Sequence, residues 1–126
     1  MSLVLDAGAL VAIERGDRDV IALIKAEHMA ERAAVTHGGV VAQVWRDGTG
    51  RQANLARMLA GVDIVALDGS LGRRAGALLA RSRSKDVIDA AVVLIANHGD
   101  TILTSDVGDL RRLAAAAQLE VELVSV

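Results

Sequence analysis

Apolar residues fall along this chain in short blocks, parted by single carboxylates and glycines. The spacing within each block separates strands from helices. Ser2-Leu3-Val4-Leu5 is an apolar run halted by Asp6, the pattern of a strand buried on both faces. Ala9 to Arg15 follows as a helix closed by Gly16. Asp17 is placed to cap a second helix, with Val20, Ile21, Leu23 and Ile24 spaced for a buried face. Ala33 to Thr36 predicts a second strand, and Gly38-Gly39 opens a helix through about Arg46. Arg51 to Ala60 reads as helical, Asp63 to Leu67 as a third strand, and Asp68 as the cap of a helix reaching about Arg81. After the polar Ser82-Arg83-Ser84-Lys85, the most apolar helix spans Asp86 to His98 and stops at Asn97-His98-Gly99. Thr101 to Thr104 is a fourth strand, Asp109 to Gln118 a helix, and Val121 to Val126 a last strand.

Strands alternating with helices at this spacing imply βαβ units, and therefore an α/β fold with a central parallel sheet covered by helices on both faces. The length of 126 residues accommodates one domain, 1–126, with no repeats or linkers. With 52% apolar residues and no Phe, Tyr or Cys, the core must be aliphatic. The absence of cysteine excludes disulfides, thiolate catalysis and iron–sulfur clusters. No apolar stretch of membrane-spanning length and no signal peptide are evident, so the expectation is a cytoplasmic protein without a membrane partner.

Net charge adds little, since 14 basic against 16 acidic residues give −2 and no overall basic footprint for nucleic acid. The kind of acid says more. Asp predominates over Glu, and Asp favours caps, turns and metal sites over helix interiors. Open α/β sheets bind ligands beyond the carboxyl ends of their strands. Two strand ends are alike there: Leu5-Asp6-Ala7-Gly8 and Ser105-Asp106-Val107-Gly108. Each Asp is suited to cap the next helix, but two such ends converge if their strands are neighbours. Asp86 and Asp89 share a helix face. Asp86 fits a cap as well as a ligand, whereas Asp89 leads into the apolar Ala90 to Ala96 and reads as facing a cation. Asp109 reads as a helix cap.

Gathering Asp6, Asp89, Asp106 and Asp86 needs a counter-charge, because two carboxylates ~5 Å apart repel by roughly 3 kcal/mol at an effective dielectric of ~20. Oxygen-only ligands suit Mg²⁺ or Mn²⁺. The chemistry that matches is metal-assisted phosphodiester hydrolysis. His28, His37 and His98 lack ligand spacing and read as surface or loop residues, with His37 the nearest to a site role. Trp45 reads as core or dimer packing.

Leu-Asp-Ala-Gly-Ala-Leu at 5–10, Asp89-Ala90 and Leu-Thr-Ser-Asp at 103–106 together resemble a PIN-domain ribonuclease, and the small size resembles a VapC-type toxin of a toxin–antitoxin pair. The resemblance implies a sheet in the order 3-2-1-4-5, a Mg²⁺- or Mn²⁺-dependent endoribonuclease acting on RNA, a homodimer and a cognate antitoxin protein. It matches Asp6, Asp89 and Asp106 to the first, third and fourth acids of the family. Gln43 stands where the second, a Glu, is expected. Gln keeps an acceptor oxygen but loses a charge that Asp86 is placed to replace. Thr104 and Ser105 fit hydrogen bonds to the acids or the attacking water, and Arg46 fits RNA phosphates or antitoxin acids. The alternative is a degenerate PIN domain that binds RNA or a protein with little or no cleavage. A phosphoacceptor receiver would need a Lys after one of its last strands, and neither Lys25 nor Lys85 lies there. A dinucleotide fold would need G-x-G-x-x-G after a strand.

Overall fold

A computed structural model describes residues 2–47 and 50–126. Five parallel strands form one sheet: β1 (Leu3–Leu5), β2 (Val35–His37), β3 (Asp63–Val65), β4 (Thr101–Thr104) and β5 (Glu122–Ser125). Their order is β3-β2-β1-β4-β5, so the chain begins in the middle of the sheet and builds outward in two directions. Val4 pairs with Val35 on one side and with Ile102 on the other. This central position explains why Leu3, Val4 and Leu5 are all buried. The edge strands β3 and β5 carry exposed residues instead.

Seven α-helices connect and cover the strands: α1 (Ala7–Glu14), α2 (Arg18–Met29), α3 (Gly38–Val44), α4 (Ala53–Leu59), α5 (Gly69–Ser82), α6 (Val87–Ile95) and α7 (Val107–Ala116). A 3₁₀ turn, Gly50–Gln52, precedes α4. Helices α1 to α4 pack together around α1, and α5 to α7 pack against one another, so each face of the sheet has its own helical layer. The core between them is aliphatic, as the composition requires: Leu5, Leu10, Ile13, Leu55, Leu78, Ile102, Leu103, Leu110 and Leu113 are all fully buried. Trp45 packs against its edge, partly buried.

Most elements lie where the periodicity places them, and the differences are confined to their ends. Helix α1 starts at Ala7 rather than Ala9, because Asp6 itself accepts the Ala9 N–H at 3.0 Å. Helix α3 stops at Val44 rather than Arg46. The Gln52 side chain takes the Arg46 N–H at 3.0 Å and donates to the Val44 carbonyl at 2.9 Å, ending the helix with its groups satisfied. Helix α6 stops at Ile95 rather than His98. The buried Asp100 carboxylate accepts N–H groups from Asn97 at 2.8 Å and Ser2 at 2.7 Å, which pins the departing chain to the start of the sheet. Helix α7 begins at Val107, with Asp106 and not Asp109 as its cap.

The candidate carboxylate site

The site is assembled by helix caps at the carboxyl end of the sheet. Asp6 leaves β1 buried, with its Oδ1 on the Ala9 N–H and its Oδ2 on the Ser105 N–H at 3.2 Å. One carboxylate thus caps α1 and ties the end of β1 to the end of β4. The approach is close: a Cβ on Gly8 would lie 2.4 Å from the Ser105 hydroxyl oxygen, so only glycine fits beside that turn. At the end of β4, the buried Thr104 hydroxyl accepts the Asp106 N–H at 2.9 Å, and Asp106 in turn accepts the Asp109 N–H at 3.1 Å. Asp86 caps α6 through the Asp89 N–H at 3.0 Å.

These caps bring three acids together. Asp89 from α6 and Asp106 and Asp109 from the start of α7 each offer a carboxylate oxygen, and these oxygens lie within 4.8 Å of one another. Burial lifts the Asp89 carboxyl from its ordinary value of 3.8 to about 7. The negative charge of Asp86 adds to the shift, followed by a carboxyl–carboxylate hydrogen bond and repulsion from Asp109, then repulsion from Asp6. Asp109 has polar neighbours of its own: the Ser84 hydroxyl at 3.4 Å and the Arg112 guanidinium at 3.3 Å. A set of hard oxygen donors this close, without histidine or cysteine, fits a hard divalent cation.

The residues singled out in the sequence are distributed unevenly around this set. Asp89 and Asp106 belong to it. Asp6 and Asp86 stand outside the close triad and act on it through their charge. Asp109, read in the sequence as a cap, is the third member. Its position three residues after Asp106, in the first turn of a helix that Asp106 caps, is the signal that would have found it. Thr104 and Ser105 shape the turn that presents Asp106, one by its hydroxyl and the other by its N–H to Asp6. Gln43 lies on the exposed side of α3. Arg46 folds back onto that helix, donating to the carbonyls of Ala42, Gln43 and Trp45, and so caps its end.

His37 corrects the sequence reading most sharply. It is fully buried, not a surface residue, and it joins two elements. Its Nδ1 accepts the Gly39 N–H at 3.1 Å, which leaves Nε2 as the protonated nitrogen that donates to the Ile88 carbonyl at 3.0 Å. Burial lowers its pKa from 6.5, so the ring is held neutral. Among the described residues no buried side-chain nitrogen or oxygen lacks a partner.

A five-stranded parallel sheet in the order 3-2-1-4-5, with helices on both faces and acids at the carboxyl ends of β1 and β4, is a PIN-like fold. Among solved structures, the chain is similar to one in the crystal structure of VapBC2 from Rickettsia felis bound to a DNA fragment from their promoter. The TM-score is 0.72 over 98% of this chain and 99% of that one, at 14% sequence identity. The likeness is therefore one of fold. No protein-family model matches the sequence, and no curated protein matches it. Among the described residues, no helix is long and apolar enough to cross a membrane.

Proposed function

We propose that this chain is a Mg²⁺- or Mn²⁺-dependent endoribonuclease and the toxin of a toxin–antitoxin pair. The observation that carries the reading is the convergence of Asp89, Asp106 and Asp109 within 4.8 Å, at the end of the sheet where such folds bind ligands. These three would hold the cation, with Asp6 and Asp86 adding negative charge around it. When bound, the ion would neutralise the scissile phosphate and lower the cost of attack by water. The protein's own contribution is order. Caps fix the Asp6, Asp86 and Asp106 carboxylates, and Ser84 and Arg112 hold that of Asp109, which spares the site part of the reorganisation that flexible acids would require. The Arg112 guanidinium beside Asp109 gives an adjacent cation for a neighbouring RNA phosphate.

The toxin assignment draws on the VapBC2 likeness. An antitoxin segment carrying a basic side chain would enter among the acids and compete with the metal. A homodimer is part of the same reading. The competing reading, a domain that binds RNA or protein without cutting, draws on Gln43, which offers an amide where a further carboxylate would serve a metal. Incubation of purified protein with single-stranded RNA in Mg²⁺ or Mn²⁺ decides between them. Cleavage that stops in EDTA is expected, and retention of intact RNA at saturating Mn²⁺ would favour the binding role.

A further inference from the structure

We infer that His37 is a positioning residue for the carboxylate site, a neutral imidazole that clamps α3 to the first turn of α6 and so sets where Asp89 stands. This inference rests on the nuclease reading above and deepens it. Three observations carry it. His37 is the N-cap of α3, with Nδ1 on the Gly39 N–H. Its opposite nitrogen, Nε2, donates to the carbonyl of Ile88, the residue immediately before Asp89. At the same point the two helices touch directly, since a Cβ on Gly39 would lie 2.6 Å from Ile88 Cδ1 and 2.9 Å from the imidazole Cε1.

The chemistry explains why histidine stands here. Ser, Thr, Asp and Asn all cap a helix with an acceptor, but ionised Asp has no donor, Ser and Thr have a single oxygen, and the Asn amide nitrogen sits too near the backbone to reach the Ile88 carbonyl. Neutral imidazole does both, with its two nitrogens aimed at different elements. An ordinary cap would satisfy α3 and leave the first turn of α6 tied to this layer by apolar contact alone. With the bridge in place, α6 cannot slide along α3 without breaking a buried hydrogen bond. A carboxylate that must keep its oxygen within reach of Asp106 and Asp109 depends on that register.

Two substitutions divide the two halves of the imidazole. His37→Asn places an amide oxygen near the Nδ1 position and keeps the cap, but loses the reach to Ile88. His37→Gln places its amide nitrogen near the Nε2 position and keeps the bridge. Mn²⁺ affinity by calorimetry, RNA cleavage rate and amide hydrogen exchange at Asp89 are the readouts. Loss of outer-sphere support for a metal site costs about 10–100-fold. His37→Asn is expected to lower Mn²⁺ affinity and kcat about tenfold, leave KM for RNA unchanged, and speed exchange at Asp89. His37→Gln should return all three to within about twofold of wild type by the same measure. Equal behaviour of the Asn and Gln variants would overturn the proposal. So would a long-range proton–nitrogen spectrum of the unaltered protein showing His37 protonated on Nδ1 instead of Nε2. If the unaltered protein neither binds Mn²⁺ nor cuts RNA, the nuclease reading falls. The clamp is then judged by exchange at Asp89 alone: faster in Asn and restored in Gln supports it, and no difference refutes it.

Discussion

Asp89 and Asp6 are acids near the same end of the sheet, yet their surroundings differ. Asp89 titrates at about 7 because burial and neighbouring negative charge resist its ionisation. Its folded value lies above its unfolded one, so the folded state holds the extra proton between the two. Stability in chelator should therefore fall as pH rises from about 4 to about 7 and stay level above. Asp89→Asn removes that penalty. It should gain about 1–2 kcal/mol at pH 8 in EDTA, after allowance for water at a half-buried carboxyl, and flatten the pH slope of thermal melts. Asp6 contributes through hydrogen bonds. Its oxygens receive two backbone N–H groups, so Asp6→Ala should cost about 1–3 kcal/mol in urea unfolding. A neutral outcome would mean that the α1 cap contributes nothing. Asp109→Asn should impair Mn²⁺ binding as severely as Asp106→Asn does, contrary to the cap role that its place in the sequence suggests. Gln43→Glu should tighten Mn²⁺ binding if α3 faces the ion, and unchanged affinity by calorimetry would place the side chain elsewhere.

At the level of elements, the sequence was legible wherever burial alone determines the answer. Leu3-Val4-Leu5 and Ile102-Leu103 could be read as strands because a parallel sheet covered on both faces tolerates only apolar residues there. The Asp17 and Asp68 caps were legible for the same local reason: each accepts N–H groups within three residues of itself. What could not be read depends on partners distant in sequence. The end of α3 is settled by Gln52 and the end of α6 by Asp100, and nothing near Val44 or Ile95 announces either. Asp100→Ala should therefore release both Ser2 and Asn97 and cost about 1–3 kcal/mol, measured by denaturant unfolding. The acidic cluster was legible in part. Asp89 and Asp106 stand out in the sequence because they end or interrupt apolar runs, and the fold sets both beside Asp109. Asp109 was mistaken for a cap because capping cannot be assigned until the helix start is known, and that start lies two residues beyond Ser105. The burial of His37 could not be read, since its second partner is 51 positions away.

Considered whole, the molecule is a sheet whose first strand is its middle one. β1 pairs with β2 early in the sequence, but its other neighbour, β4, starts only at Thr101. The Asp6 carboxylate closes on the Ser105 N–H across 99 positions. Pairings so remote slow folding, because loop entropy is lost before any contact compensates it. They also impose an order on biosynthesis. A ribosome adds about 5–20 residues per second, so several seconds pass between the appearance of Asp6 and that of Asp106. Until that interval ends Asp89 lacks the two other members of its triad, and β1 has one side open. A nascent chain arrested before Ser105 carries six of the seven described helices and lacks two of the three clustered acids. The same late pairing of β1 with β4 that makes the sheet slow to form therefore leaves the acidic cluster among the last features of the fold to be assembled.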